Sequence, residues 1–563
     1  MSDRALTVEA RIPASLGESV QDMVALATRE RVTERLRQAD ASLWGPEGTP
    51  EVGNRLGWLT IAERMLGDLG PIEALAAEVC AEGLPDVVLL GMGGSSLAPE
   101  VLRRSFPPSA GQPRLHVLDS TDAAAIGAVQ DAIEPARTLF IVSSKSGGTI
   151  EPLSLFVHFF SIVGDGRNFI AITDPGSGLA DLARERGFRH TFLGDPNIGG
   201  RYSALSPFGI VPGALMGVDV RALLTGAAGA WDTGLLVAGE GAAGGGASAP
   251  PPAGADAPAT AVWLGAALSV LARTGRDKLT FLIAPSLPGL GLWLEQLVAE
   301  STGKQGTGIL PVAEEPLGDP GAYGEDRVFA YLPDVGRADA EFEARVHGLA
   351  DAGHPLITIP TAGPRDLGRV FLLAELAVAV AGWGLEINPF DQPNVQQAKD
   401  ATKRVLAEYE ARRTLPEIPD ASEPALLSLL LEAAPPEYVA IMAYAQPSAE
   451  LDAAVAELRV AIRAARRATT TFGYGPRFLH STGQFHKGGP PTGRFLQLIH
   501  DGPADVAIPQ ASYTFTTLKH AQAIGDLQTL RDLGRPAERL TLAGEDPAGA
   551  LRALTQRIKE ANT

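Results

Sequence analysis

Two patterns of apolar residues run along the chain. From Asp86 onward, short segments are apolar at consecutive positions: Val87-Val88-Leu89-Leu90, Leu115 to Leu118, Thr138 to Val142 and Phe169 to Ile172. Stretches of helical spacing separate them. A strand that is apolar at every position is buried on both faces, and such strands alternating with helices predict a parallel sheet in a doubly wound α/β fold. The signature returns at Lys278 to Ala284, with Arg327 to Leu332, Leu356 to Ile359, Tyr438 to Tyr444 and Val506 to Ile508 as further strands of a second unit. Upstream, Glu18 to Arg37 and Trp58 to Ala76 carry mixed apolar and polar residues at helical spacing. Leu451 to Arg466 is an amphipathic helix, with Ser448 as its N-cap. Residues 238–260 are rich in Ala, Gly and Pro and have little to bury, so they read as a mobile surface loop. The expected organisation is an N-terminal helical segment (1–75), a first α/β domain (76–237), that loop (238–260) and a second α/β domain (261–563).

Composition narrows the partners. The 563 residues are 45% hydrophobic, which is ample for buried cores. A net charge of -19 and a pI near 5.0 argue against nucleic acid and anionic membranes. A small anion is still accommodated, because a few local cations and N–H groups can hold it. Cys80 is the single cysteine, so there is no intrachain disulfide and no thiolate metal cluster; it reads as a small core residue. The N-terminus lacks a basic region followed by an apolar run, and no stretch reads as a bilayer span. The expected compartment is the cytoplasm.

Candidate chemistry sits at the ends of the apolar strands, where open α/β sheets bind ligands. Ser143-Ser144-Lys145-Ser146-Gly147-Gly148-Thr149 joins a strand to a helix. Its backbone N–H groups, its hydroxyls and a helix N-terminus converge on one spot, which suits a phosphate. Gly91-Met92-Gly93-Gly94-Ser95-Ser96 ends another strand, but Ser96 breaks the G-x-G-x-x-G dinucleotide fingerprint. In Gly199-Gly200-Arg201-Tyr202-Ser203, Arg201 can grip a phosphate, stabilise an oxyanion or form a surface salt bridge. Glu300, in Glu300-Ser301-Thr302-Gly303-Lys304, lies at a helix end. It reads either as a desolvated general base or as a solvated partner of Lys304. Lys399 follows Asn388-Pro389-Phe390-Asp391-Gln392 in the first turns of a helix, where a cation opposes the macrodipole. His480 and His486 flank Ser481-Thr482-Gly483-Gln484-Phe485, and either can carry a proton near neutral pH.

In chain order, Gly91–Ser96, Ser144–Thr149, Gly199–Ser203, Glu300–Lys304 and Asn388–Gln392 resemble the phosphoglucose isomerase family, whose pattern includes a glycine-serine loop and Ser-Lys-Ser/Thr, GGRYS, ESxGK and N-x-FDQ segments, together with a histidine segment like His480–Gln484. The resemblance implies two sugar-isomerase (SIS-type) doubly wound domains with flanking helices. One departure stands out: the histidine segment follows the FDQ segment here instead of preceding it. That order resembles the isomerase half of fused transaldolase–phosphoglucose isomerase proteins, although no transaldolase portion is evident.

The resemblance implies interconversion of glucose 6-phosphate and fructose 6-phosphate in glycolysis and gluconeogenesis, without metal or cofactor. Glu300 would move the proton between C2 and C1 through a cis-enediol(ate), and Arg201 would stabilise its charge. His480, assisted by Lys399, would open the ring, with His486 as the fallback. Gly94, Ser95, Ser144, Lys145, Ser146, Thr149, Gln296 and Gln484 would bind the sugar phosphate. A homodimer is expected, with the neighbouring subunit supplying the histidine segment. The alternatives are an isomerase that also accepts mannose 6-phosphate and a non-catalytic sugar-phosphate regulator.

Overall fold

A computed structural model describes residues 8–229 and 260–562. The Ala/Gly/Pro-rich stretch therefore lies outside the described residues, except Thr260, which opens the helix Thr260–Arg273. A three-residue strand, β1 (Glu9–Arg11), precedes the N-terminal helices Ala14–Arg29, Val32–Arg37, Ile61–Gly67 and Gly70–Glu82. The first sheet comprises β2 (Asp86–Leu90), β3 (Arg114–Leu118), β4 (Thr138–Ser143), β5 (Phe169–Thr173) and β6 (His190–Leu193), all parallel, in the order β3-β2-β4-β5-β6. β2, β4 and β5 are buried at every position, as their unbroken apolar runs require. The chain reverses direction across the sheet between β2 and β4. Loops leaving two such strands diverge and open a crevice, and here those loops are residues 91–96 and 144–149.

The second sheet contains β7 (Lys278–Ile283), β8 (Leu310–Val312), β9 (Arg327–Leu332) and β10 (Leu356–Thr358) in the order β1-β10-β9-β7-β8, with β1 antiparallel at its edge. The sequence reading carried this sheet on through Tyr438 to Tyr444 and Val506 to Ile508, within a single domain spanning 261–563. The structure corrects that. Tyr438–Tyr444 is β11 of a third parallel sheet, with β12 (Thr469–Tyr474), β13 (Gly493–Ile499) and β14 (Ala537–Thr541) in the order β12-β11-β13-β14. Residues 506–508 form no strand, only an isolated bridge from Ala507 to Thr514. The third sheet has its own apolar core, built with the helices Glu423–Leu431, Ala449–Arg466 and Pro547–Ala561. Apolar runs identify strands buried on both faces but not which strand they pair with, so the two sheets read as one.

Two smaller expectations also change. The segment Gly363–Gly384 has 22 residues and is long and apolar enough to cross a membrane, but 89% of its most apolar stretch is buried inside the protein. It is a core helix, packed on Thr260–Arg273. Cys80 is only half-buried, with Sγ 3.3 Å from the Gly111 carbonyl oxygen.

Candidate active site

The loop after β4 is shaped by its hydroxyls and one glycine. Ser144 Oγ donates to Thr149 Oγ1 at 3.0 Å, and the Ser144 N–H is held by the Ile172 carbonyl. Gly147 has φ +67°, and a Cβ there would lie 2.7 Å from the Ser177 Cβ, so both conformation and space call for glycine. Thr149 precedes the helix Ile150–Val163 without a side-chain cap bond. The first N–H groups of that helix have no intrahelical partner and can meet an anion. Lys145 Nζ reaches Asp174 Oδ2 at 2.6 Å and the Asp195 carbonyl at 2.9 Å. Burial pulls the ammonium below its usual range, and the ion pair with Asp174 offsets only part of that.

Glycines let three further segments close on the same place. A Cβ on Gly94 would sit 2.1 Å from the Gly200 carbonyl oxygen, so the loop after β2 lies directly on the Gly199–Ser203 segment. A Cβ on Gly93 would collide with the His480 backbone at 2.7 Å and with Gln296 Nε2 at 2.9 Å. Gln296 Nε2 in turn donates to the His480 carbonyl at 2.8 Å.

Glu300 lies near the end of the helix Leu290–Thr302 and is 5% exposed, so it is not a solvated surface residue. Its partner is Arg201, whose Nη1 is 3.3 Å from Glu300 Oε2. Lys304 turns away and binds Asp391, at 2.7 Å to its carboxylate and 2.6 Å to its carbonyl. Burial lowers the Lys304 pKa to about 8. Burial raises the Glu300 pKa above the ordinary carboxylate value, and Arg201, His480 and Gln296 counter only part of that rise. Arg201 is 1% exposed and is no surface salt-bridge residue. It also donates to Ser301 Oγ at 2.8 Å, Gln392 Oε1 at 2.5 Å, and the Pro389 and Asp391 carbonyls at 2.6 and 3.0 Å. Its guanidinium is therefore fixed rather than free to follow a ligand.

His480 comes from the third unit, in the short turn Arg477–His480 after β12. Its Nε2 is 3.0 Å from Glu151 Oε1, a buried carboxylate in the first turn of the helix behind the phosphate loop. Gln522 Nε2 donates to the same oxygen at 2.7 Å. Burial by itself would raise the Glu151 pKa; the charge and hydrogen bond of His480, the backbone and Lys399 leave it below normal. A charged Glu151 fixes the imidazole tautomer and orientation. Asp119 holds Arg477 through two bonds of 2.7 and 2.8 Å, Thr121 donates to Gln522 at 2.8 Å, and Lys519 pairs with Asp122 at 2.7 Å. The third unit is thus seated on the first unit of the same chain. Within the chain, His480 reaches the cavity from the third unit.

A cavity of about 290 Å³ is lined by Gly94, Ser95, Lys145, Ser146, Thr149, Gln296, Glu300, Lys399 and His480. Ser144 and Arg201 stand behind its walls through the bonds above. Gln484 does not line it. It is fully buried, donating to the Gly303 carbonyl at 2.9 Å and Asn394 Oδ1 at 2.8 Å, and so ties the histidine segment to the helix Pro393–Arg412. His486 is also displaced: both ring nitrogens lack partners among the rings of Tyr438, Phe478 and Phe495, and burial lowers its pKa to about 3. It stays neutral in the core, leaving His480 as the histidine of the cavity. Sequence reasoning gave no site role to Glu151, Gln392 and Arg55, of which the last two line the cavity. Gln392 was legible as the end of the Asn388–Gln392 segment. The others become visible only once distant segments meet.

The phosphoglucose isomerase family model matches residues 77–236. Glucose-6-phosphate isomerase from Rubrobacter xylanophilus is 32% identical over 381 residues, covering 58% of this chain and 84% of the relative. That from a strain of Thermus thermophilus is 28% identical over 420 residues, covering 66% and 95%. A solved structure from Thermus thermophilus, described as a hypothetical protein, superposes with TM-score 0.55 at 25% identity over 71% of this chain and all of the other. The fold is also that of glucose-6-phosphate isomerase from Chlamydia trachomatis, with TM-score 0.53 at 18% identity over 73% of this chain and 87% of the other. The chain belongs to the phosphoglucose isomerase family, and with it to the glucose-6-phosphate isomerases.

Proposed function

We propose that this chain interconverts glucose 6-phosphate and fructose 6-phosphate through a cis-enediol(ate), serving glycolysis and gluconeogenesis in the cytoplasm. The observation that carries the reading is a buried carboxylate, Glu300, in the same cavity as a Ser-Lys-Ser-Thr phosphate loop. The loop holds the phosphate and sets the register of the sugar. His480, oriented by Glu151 and assisted by Lys399, takes the anomeric proton and delivers one to the ring oxygen. Glu300 then removes the C2 proton and returns it at C1, so a single group serves both carbons. Arg201, held in place beside Glu300, stabilises the negative charge that develops on the enediolate oxygen. Gln296 and Gln392 add polar contacts to the sugar.

The presence of a desolvated base supports an enzyme over a sugar-phosphate regulator. A homodimer is expected from the family. The C-terminal position of the histidine segment supports kinship with the isomerase half of fused transaldolase–phosphoglucose isomerase proteins. The test is Glu300→Gln: turnover should fall roughly 10³-fold, as for loss of a general base, while sugar-phosphate binding by calorimetry persists. Full turnover in that variant would refute the assignment.

A further inference from the structure

Arg55 lies in the N-terminal segment, where sequence reading found no chemistry, yet it lines the same cavity as Lys145, Ser146 and Thr149. Its position relative to Lys145 is fixed by one loop. Lys145 Nζ donates to the Asp195 carbonyl at 2.9 Å, and Arg55 Nη1 donates to the next carbonyl, that of Pro196, at 3.2 Å. Two cations are therefore held on consecutive peptide units beside open space. Like charges this close repel unless an anion lies between them or each finds its own. Here each has its own: Asp174 for Lys145 at 2.6 Å, and Glu51 for Arg55 at 2.7 Å.

Charge counting shows why a second cation is needed. A phosphate monoester carries about −1.5 to −2 charges at neutral pH. Lys145 is the only cation of the phosphate loop, and its pairing with Asp174 leaves no net positive charge there. Arg201 is committed to the bonds described above and lies behind the cavity wall. Lys399 acts electrostatically on Glu151, at the histidine end. Arg55 remains. The side chain of its partner Glu51 is 35% exposed, and an ion pair of that kind is weak and exchangeable.

We infer that Arg55 is a second cation of the phosphate subsite, exchanging Glu51 for the phosphate of the bound sugar. The inference rests on the proposed function, which defines that subsite. A purely structural clamp is the competing role, but other bonds already secure the segment: the Gly57 N–H donates to the Asn197 carbonyl at 2.9 Å, and Arg64 pairs with Asp195 at 2.7 Å. Loss of the Arg55 charge should therefore leave the fold in place.

The experiment compares Arg55→Gln, Arg55→Lys and Lys145→Ala in the full chain. It measures KM and kcat for glucose 6-phosphate and the competitive inhibition constant of inorganic phosphate. Arg55→Gln should raise both KM and the phosphate inhibition constant roughly tenfold, the cost of one charged hydrogen bond, and lower kcat by less. Arg55→Lys should recover most of that loss. Unchanged constants in Arg55→Gln alongside raised ones in Lys145→Ala would overturn the role of Arg55 and leave the phosphate loop standing. Equal impairment in the glutamine and lysine variants would also overturn it, because charge would then not be the property that matters. Unchanged constants in all three variants would remove the phosphate-loop reading, and the inference with it.

Discussion

A carboxylate that takes a proton from carbon must find its charged state costly, and the surroundings of Glu300 make it so. Burial raises its pKa above the ordinary 4.5, while Arg201 keeps the ionised form within reach. The sign of the pH dependence follows: the base works when deprotonated, so kcat/KM should fall as pH falls, with the midpoint of the acid limb above 4.5. A pH–rate profile checks this; a midpoint at or below that value would mean that another group sets the limb. Glu300 and Lys399 were legible in the sequence because each sits in a recognisable segment. The choice between His480 and His486 was not. The two are six residues apart in one glycine-rich stretch, and only packing sends one to the cavity and the other among aromatic rings. Gln484 shows the same limit: its amide was read as a ligand and is spent on Gly303 and Asn394.

At the scale of elements, the phosphate loop works because a fully buried strand ends where a helix begins. Ser144 and Lys145 follow β4 directly, and the helix Ile150–Val163 directs its free N–H groups toward the same point. This was readable from sequence, since an apolar run, a hydroxyl-glycine loop and a helix are all local patterns. The partners of the loop were not. Asp174 ends a different strand, and Arg55 comes from a segment that precedes the sheet altogether. Lys145→Ala and Ser144→Ala should act mainly through binding, with KM raised roughly 10- to 100-fold for the lysine and less for the serine. Steady-state kinetics on both variants measures this, and an unchanged KM in both would remove the loop from the site.

At the scale of the molecule, three sheets bring three kinds of side chain to one cavity: the phosphate loop from the first, Glu300 from the second and His480 from the third. The sequence showed the first sheet well and ran the other two together, because strand identity is local and strand pairing is not. What seats the third unit is buried and polar. Lys519 and Asp122 form an ion pair with both side chains about 1% exposed, and Arg459 donates to the Ala313 and Glu314 carbonyls of the second unit. Lys519→Ala should cost about 3–5 kcal/mol by leaving Asp122 buried without its partner, and it should lower kcat as His480 loses its seat. Thermal melts and kinetics on the same preparation would show both effects.

That seating brings His480 to the cavity of its own chain. Co-expression of Glu300→Gln with His480→Ala tests this most directly, after each variant has been shown to be inactive alone. If every site is built from a single chain, the mixture stays inactive whatever its oligomeric state. Recovery of about a quarter of wild-type activity, the share expected when two-fold partners exchange a residue between their sites, would contradict the account.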